Sequence, residues 1–155
     1  MMTPLVLFHT VLSLVGIATG FVVIKGMLAS ERMDRVTGWF LATTILTSAT
    51  GFILPAAKFM PSHAVGVLSL VILSIGCYAR YARRMVGGWR ATYITTAIAA
   101  QYFNVFVLVI QLFLKVPALH ELAPEGKEPP FAVAQGVVIL AFLVTGVLAL
   151  RRFSH

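Results

Sequence analysis

The sequence has little charge, few acids and a single cysteine. Only 11% of its 155 residues are Asp, Glu, Lys or Arg, against about 25% in soluble domains, whereas 59% are hydrophobic. This composition excludes an ordinary soluble enzyme and a disordered tail. The lone Cys77 excludes a disulfide-stapled secreted module and a cysteine-based metal motif. The length predicts one domain over residues 1–155.

Several chemistries have no basis in the sequence. No Asp or Glu interrupts a long apolar run, which argues against a pump driven by membrane-embedded carboxylates. There is no GxSxG, HExxH or phosphate-loop motif, so nucleophilic, zincin-type and ATP-dependent catalysis are not expected. We therefore expect a protein that is not an enzyme.

What the sequence does contain is five long runs without a charged side chain. They are 21 to 24 residues long, and about 20 helical residues cross a bilayer core. Backbone polar groups in lipid must be satisfied within the segment, so each run is expected to be a helix. The sequence thus predicts an all-α bundle of five transmembrane helices at about 4–26, 37–56, 62–82, 91–115 and 131–151. Thr3 is expected to cap the first helix, which we expect to be retained because its first cation, Lys25, follows the apolar run.

The distribution of cations predicts the orientation. Five spans with the N-terminus outside place nine cations inside, and only Lys58, Lys115 and Lys127 outside. The inner nine are Lys25, Arg32, Arg35, Arg80, Arg83, Arg84, Arg90, Arg151 and Arg152. With the acids included, the whole net charge of +7 lies inside. The expected partner of these arginine clusters is anionic inner-leaflet lipid, and nucleic acid is not expected.

Small and amide side chains within the spans predict helix contacts. Gly16 and Gly20 form a small-xxx-small motif, which favours close packing inside the bundle or against a second membrane protein or copy. Gln101, Asn104 and Gln111 share one face of the fourth span. Amides in hydrocarbon must be paired, so this polar stripe either joins helices or lines a polar ligand cavity. Passage of a small solute along it is a third, weaker hypothesis.

Histidines and amides collect at the predicted outer side. The predicted topology places His9, His63 and His120 there, with Glu121 next to His120. Gln111 and Gln135 lie within about one helical turn of the outer ends of the fourth and fifth spans. His9 and His63 are candidate axial ligands of a b-type haem, the leading cofactor hypothesis.

Other interpretations of the same cluster stay open. A metal ion could use His9, His63, His120 and Glu121, and a quinone or lipid headgroup could bond to the histidines with Gln111 and Gln135. Alternatively, the histidines have structural roles: His63 at headgroup level, His120 solvated and His9 bonded to a neighbouring helix.

Four short strings resemble those of small bacterial integral membrane proteins, a family of unknown function. They are Leu7-Phe8-His9-Thr10, Thr47-Ser48-Ala49-Thr50-Gly51-Phe52, Pro61-Ser62-His63 and Tyr102-Phe103-Asn104-Val105-Phe106. The resemblance implies a multi-pass protein of the bacterial inner membrane, and it implies no activity or site.

Two functions follow as hypotheses. The first is a non-enzymatic integral membrane protein that packs against a membrane partner or binds a lipid-like ligand. The alternative is a redox or ligand-binding protein with haem, quinone or metal at the outer His9/His63 site. An amide stripe buried dry between helices favours the first, and a stripe that lines a cavity favours the second.

Overall fold

The computed structural model describes residues 2–56 and 58–155, and every regular element in these ranges is helical. The α-helices are α1 (Pro4–Ala29), α2 (Asp34–Gly51), α3 (Pro61–Cys77), α4 (Gly88–Lys115), α5 (Pro117–Leu122) and α6 (Pro129–Arg152). A π-helical extension, Tyr78–Ala82, continues α3. The all-α class is confirmed.

Four of these helices are long and apolar enough to cross a membrane. They are α1, α3 together with its π-helical extension, α4 and α6. Helix α2 is not among them: its 18 residues are long enough, but Asp34, Arg35 and five threonines lower its mean hydropathy. Length and hydropathy thus support a membrane protein with four candidate spans, one fewer than the sequence predicted.

The helix ends show how local chemistry sets the boundaries. Thr3 caps α1 as predicted, since its Oγ1 accepts the Val6 N–H at 3.3 Å. Helix α2 ends at Gly51, five residues before the predicted end, because the next backbone N–H groups fold back in a turn. The Phe52 N–H donates to the Ala49 carbonyl at 3.3 Å.

The next helices also differ slightly from expectation. Helix α3 begins at Pro61 with Met60 as its cap, one residue before the predicted start at 62. The short helix α5 begins at Pro117, in the connection between the fourth and fifth predicted spans.

Consecutive long helices run antiparallel, and the bundle has two chemically distinct ends. Helix α2 contacts α1 and α3, α4 contacts α1, α3 and α6, and α1 also contacts α6. One end of the bundle contains the last residues of α1 and α6, the first residues of α2 and α4, and the π-helical extension. We call it the arginine end. The opposite end, where α1 and α3 begin and α2 finishes, carries His9 and His63; we call it the histidine end.

The tightly packed core lies toward the arginine end. Its fifteen buried residues are Val23, Ile24, Met27, Phe40, Leu41, Leu73, Ala79, Met85, Tyr93, Ile94, Ala97, Ile98, Ala100, Ala149 and Phe153. By contrast, Ala149 is the only residue of α6 that is buried. The valines and leucines of α6 point outward, as apolar side chains can when lipid is the solvent.

Candidate functional site

The amide stripe of α4 joins three helices. Gln101 is completely buried, and its Nε2 donates to the Ile17 carbonyl of α1 at 2.8 Å. Its Oε1 accepts from Asn104 Nδ2 at 3.2 Å, and the same Nδ2 lies 3.3 Å from Thr44 Oγ1 of α2. Both amides thus find partners within the protein. This is the dry arrangement that favours helix packing over a ligand cavity.

Two glycines of α1 make room for this network. A Cβ added at Gly20 would overlap the Gln101 carboxamide, so only glycine lets the amide reach the α1 backbone. A Cβ at Gly16 would lie 3.1 Å from Thr44 Oγ1. The small-xxx-small motif therefore packs inside the bundle.

The other two predicted amides lie outside this network. Gln111, seven residues beyond Asn104, is half-buried near the histidine end. Gln135 of α6 donates from Nε2 to the Phe106 carbonyl of α4 at 3.1 Å, which ties these helices together. Its Oε1 is buried and has no hydrogen-bond partner among residues 2–56 and 58–155.

His9 bonds to the end of α2. Its Nδ1 lies 2.8 Å from Thr50 Oγ1, and the Thr50 hydroxyl donates to the Leu46 carbonyl at 2.8 Å. Since that hydroxyl proton is used, Thr50 accepts from His9 Nδ1–H, which leaves a lone pair on His9 Nε2. His9 thus bonds to a neighbouring helix, which is the structural role considered above.

His63 holds the opposite tautomer. Its Nδ1 accepts the Met60 backbone N–H at 2.8 Å, so the proton of the neutral ring is on Nε2. Phe52 and Phe59 lie against the imidazole with ring centroids 5.7 and 5.3 Å away. Haem iron binds the Nε2 lone pair of histidine, which His63 cannot offer while it makes this hydrogen bond.

The two histidines do not share a cavity. An open depression of about 280 Å³ at the histidine end is lined by Phe52, Leu54, Ala56, Lys58, Phe59 and His63. His9 is not part of its wall, and each histidine contacts the last turns of α2 from its own helix. Bis-histidine ligation of a haem needs two imidazoles that face one site with free Nε2 lone pairs, and the arrangement of His9 and His63 does not fit it.

The metal hypothesis named His9, His63, His120 and Glu121, and the structure does not bring three or more of these side chains together. In the described part of the chain, no group of three or more His, Cys, Asp or Glu side chains is arranged to hold a metal ion. His120 and Glu121 lie exposed on α5.

The loop that follows α5 has its own carboxylate contacts. The backbone N–H groups of Glu125 and Lys127 donate to the Glu128 carboxylate at 3.0 and 2.9 Å. These hydrogen bonds, that of Glu125 first, lower the pKa of Glu128.

The arginine end contains a buried cation, Arg80, which the sequence analysis counted among the nine inner cations expected to face anionic lipid. Arg80 is only 3% exposed and forms an ion pair with the Asp34 carboxylate of α2. Its Nη2 lies 3.4 Å from the Arg32 carbonyl, and its guanidinium lies 4.9 Å from the Tyr93 ring centroid. Arg80 thereby connects α2, α3 and α4.

The π-helical extension accounts for this inward position. A π-turn accommodates an extra residue and changes which side chains face the bundle, so Arg80 is buried while Tyr78 and Tyr81 are exposed. The predicted span 62–82 already included this arginine. The predicted inner side carries nine cations and only two acids, of which Asp34 is one. An arginine inside a predicted span, together with an acid on the same predicted side, could have indicated a buried cation paired with that acid.

Most of the other cations at this end are exposed on the surface of the bundle. Arg90 donates to the Leu150 and Phe153 carbonyls and so caps the end of α6. Seven cations are exposed: Lys25, Arg32, Arg35, Arg83, Arg84, Arg151 and Arg152.

Comparisons with protein-family models, curated proteins and solved structures found no match to this chain. The functional argument therefore depends on the geometry of its own residues.

Proposed function

We propose that this chain is a non-enzymatic, five-span protein of a bacterial inner membrane whose basic cytoplasmic face binds anionic phospholipid. The main support is that seven exposed cations lie at one end of a bundle whose central amides, Gln101 and Asn104, are hydrogen-bonded within the protein. Among residues 2–56 and 58–155 no group of three or more potential metal ligands forms, and His63 uses its Nδ1 as a hydrogen-bond acceptor, so the proposal does not include redox chemistry.

Helix α2 supplies the fifth span in this proposal. It lies beside α1 along most of the bundle, from Met33 against Gly26 at the arginine end to Thr50 against His9 at the other. Its 18 residues make about 27 Å of helix, close to the thickness of a bilayer core.

The threonines that lower its hydropathy are compatible with lipid. Thr43 and Thr47 donate to the carbonyls of Trp39 and Thr43, each at 2.7 Å, so their hydroxyls are satisfied within the helix.

Charge then supports the orientation. With five spans, all nine cations of the arginine end lie on one side, and the positive-inside rule makes that side cytoplasmic. The N-terminus is then outside and the C-terminus inside. Asp34 pairs with Arg80 and with the exposed Arg32, which leaves Glu31 as the one other acid at this end against the remaining exposed cations. Each favourably placed cation contributes about 1 kcal/mol toward anionic lipid.

Alkaline phosphatase fusions test the topology. Fusions after Lys58 and Lys127 should be active outside, and fusions after Gly87 should be inactive. The fusion after Lys58 tests α2 directly, because it is inactive if α2 does not cross. Activity after Gly87 with inactivity after Lys127 would reverse the orientation and overturn the proposal.

Lipid selectivity tests the basic face. Purified protein in equimolar phosphatidylglycerol and phosphatidylcholine should retain phosphatidylglycerol preferentially in native mass spectrometry, and high salt should weaken the preference. Equal retention of the two lipids would contradict the proposed function.

A further inference from the structure

We infer that one headgroup of an anionic phospholipid binds at a defined place on the arginine end: Arg83 and Arg84 contact its phosphate, and Tyr78 and Trp89 position it. This inference rests on the proposed function, because it assumes that the arginine end faces anionic lipid. It adds that one pair of cations forms a site while the others act through diffuse attraction.

An aromatic platform orients the first arginine of this pair. The Arg83 guanidinium lies 5.2 Å from the Trp89 ring centroid, and Tyr78 packs edge-on against the same indole at 5.3 Å between centroids. Stacking on an aromatic face limits the freedom of a guanidinium while its N–H groups stay available to a phosphate. Trp and Tyr also favour the membrane–water boundary, where lipid phosphates lie.

The charge of this pair is not neutralised within the protein. Both arginines are exposed, and in the described ranges neither is within ion-pair distance of a carboxylate. Asp34, an acid at the same end, is held by Arg80 and Arg32. Although the Asp34 carboxylate is exposed, its ion pairs with Arg80 and Arg32 occupy it, and it lies within ion-pair distance of neither Arg83 nor Arg84.

The backbone that carries the two arginines is fixed by hydrogen bonds and burial. The Arg83 N–H donates to the Tyr78 carbonyl and the Met85 N–H to the Ala79 carbonyl, both at 2.9 Å. The Met85 side chain is only 4% exposed and anchors the loop in the core. The site is therefore preorganised, which lowers the entropic cost of binding.

The surface of α3 continues the site into the membrane. Val71, Ile75 and Tyr78 follow one another at spacings of four and three, so they share a helix face, and all three are exposed. This stripe leads from the headgroup position along the apolar span. An acyl chain can lie along it while the phosphate stays at the arginines, which favours a phospholipid over a free phosphate.

The test is native mass spectrometry of the full chain with phosphatidylglycerol, compared between two double variants. R83Q/R84Q removes two positive charges from the site, and R151Q/R152Q removes two exposed charges from the same end. We expect R83Q/R84Q to weaken retention of the tightest-bound phosphatidylglycerol about tenfold, and the control to change it less than twofold. Trp89→Leu, which keeps both arginines, should weaken it several-fold provided that its thermal unfolding matches the wild type.

Other outcomes overturn the inference in distinguishable ways. Equal losses in both double variants mean diffuse attraction, so the proposed function stands and the site does not. Absence of any phosphatidylglycerol preference in the wild type overturns both. At matched ionic strength, binding of inorganic phosphate to the wild type as tightly as phosphatidylglycerol, with loss of that binding in R83Q/R84Q, would show that the acyl chains add nothing, against the proposed phospholipid.

Discussion

The two ends of the bundle differ in how their polar groups are used. At the arginine end, Arg80 and Asp34 join helices over a dense apolar core. At the histidine end, His63 caps its own helix beside an open depression. The residue types that suggest cofactor chemistry are therefore in the looser half, and the buried charge is in the tighter half. In a membrane protein, a buried charge next to a packed core indicates a built feature more reliably than histidines at similar depth do.

The largest expected effect tests the buried pair. Asp34→Asn leaves the buried Arg80 cation without its counter-charge and should lower the free energy of unfolding by about 3 kcal/mol. This value is at the low end of the cost of breaking a buried ion pair, because solvent screens the exposed Asp34 carboxylate. Unfolding in mixed micelles titrated with SDS measures the change. Arg80→Met should cost less, because it removes the charge together with its need for a partner.

Glu31→Gln is the matched control, since Glu31 is an exposed acid at the same end. If it destabilises the protein as much as Asp34→Asn does, the pair is unimportant and the contrast between the ends fails. The double variant Asp34→Asn with Arg80→Met should recover part of the loss caused by Asp34→Asn alone.

A middle-sized effect is expected at the seam between the two halves. Gly20→Ala forces a methyl group into the buried Gln101 carboxamide and should cost about 2 kcal/mol by overpacking. Gly136→Ala on α6 is the control, because its added Cβ would meet no atom within 4 Å. It should be neutral or slightly stabilising by helix propensity. The same SDS titration measures both, and equal effects would mean that the amide network does not hold the helices.

The smallest effect is expected at the histidine end. His63→Ala removes the acceptor of one helix-cap hydrogen bond and should cost about 1 kcal/mol or less. Protein made in haem-replete cells should also show no Soret band, before or after reduction with dithionite. A band present in the wild type and lost in His63→Ala would reverse our comparison and make the histidine end a cofactor site.

Local patterns predicted much of the fold because they depend on neighbouring residues. The Thr3 cap was confirmed, because it depends on residues within one helical turn. The end of α2 was predicted five residues too late, because the apolar run continues to residue 56 whereas a backbone turn closes the helix at Gly51.

The candidate sites were harder to predict because they depend on direction as well as depth. Similar depth placed His9 and His63 at one end, but their ring nitrogens bond to different partners. The distribution of cations placed Arg80 on the inner face with the other arginines, and the π-helical extension turns it inward.

The sequence by itself determined that the chain is helical, apolar enough for a membrane and strongly asymmetric in charge. These properties follow from composition and from the length of the apolar runs, which do not depend on tertiary contacts. Tertiary structure alone decided which polar groups meet. Gln101 reaches Ile17 across Gly20, and Arg80 reaches Asp34 across the gap between α3 and α2. Such contacts join residues far apart in the chain, and they depend on helix rotation, which periodicity constrains only to within a face.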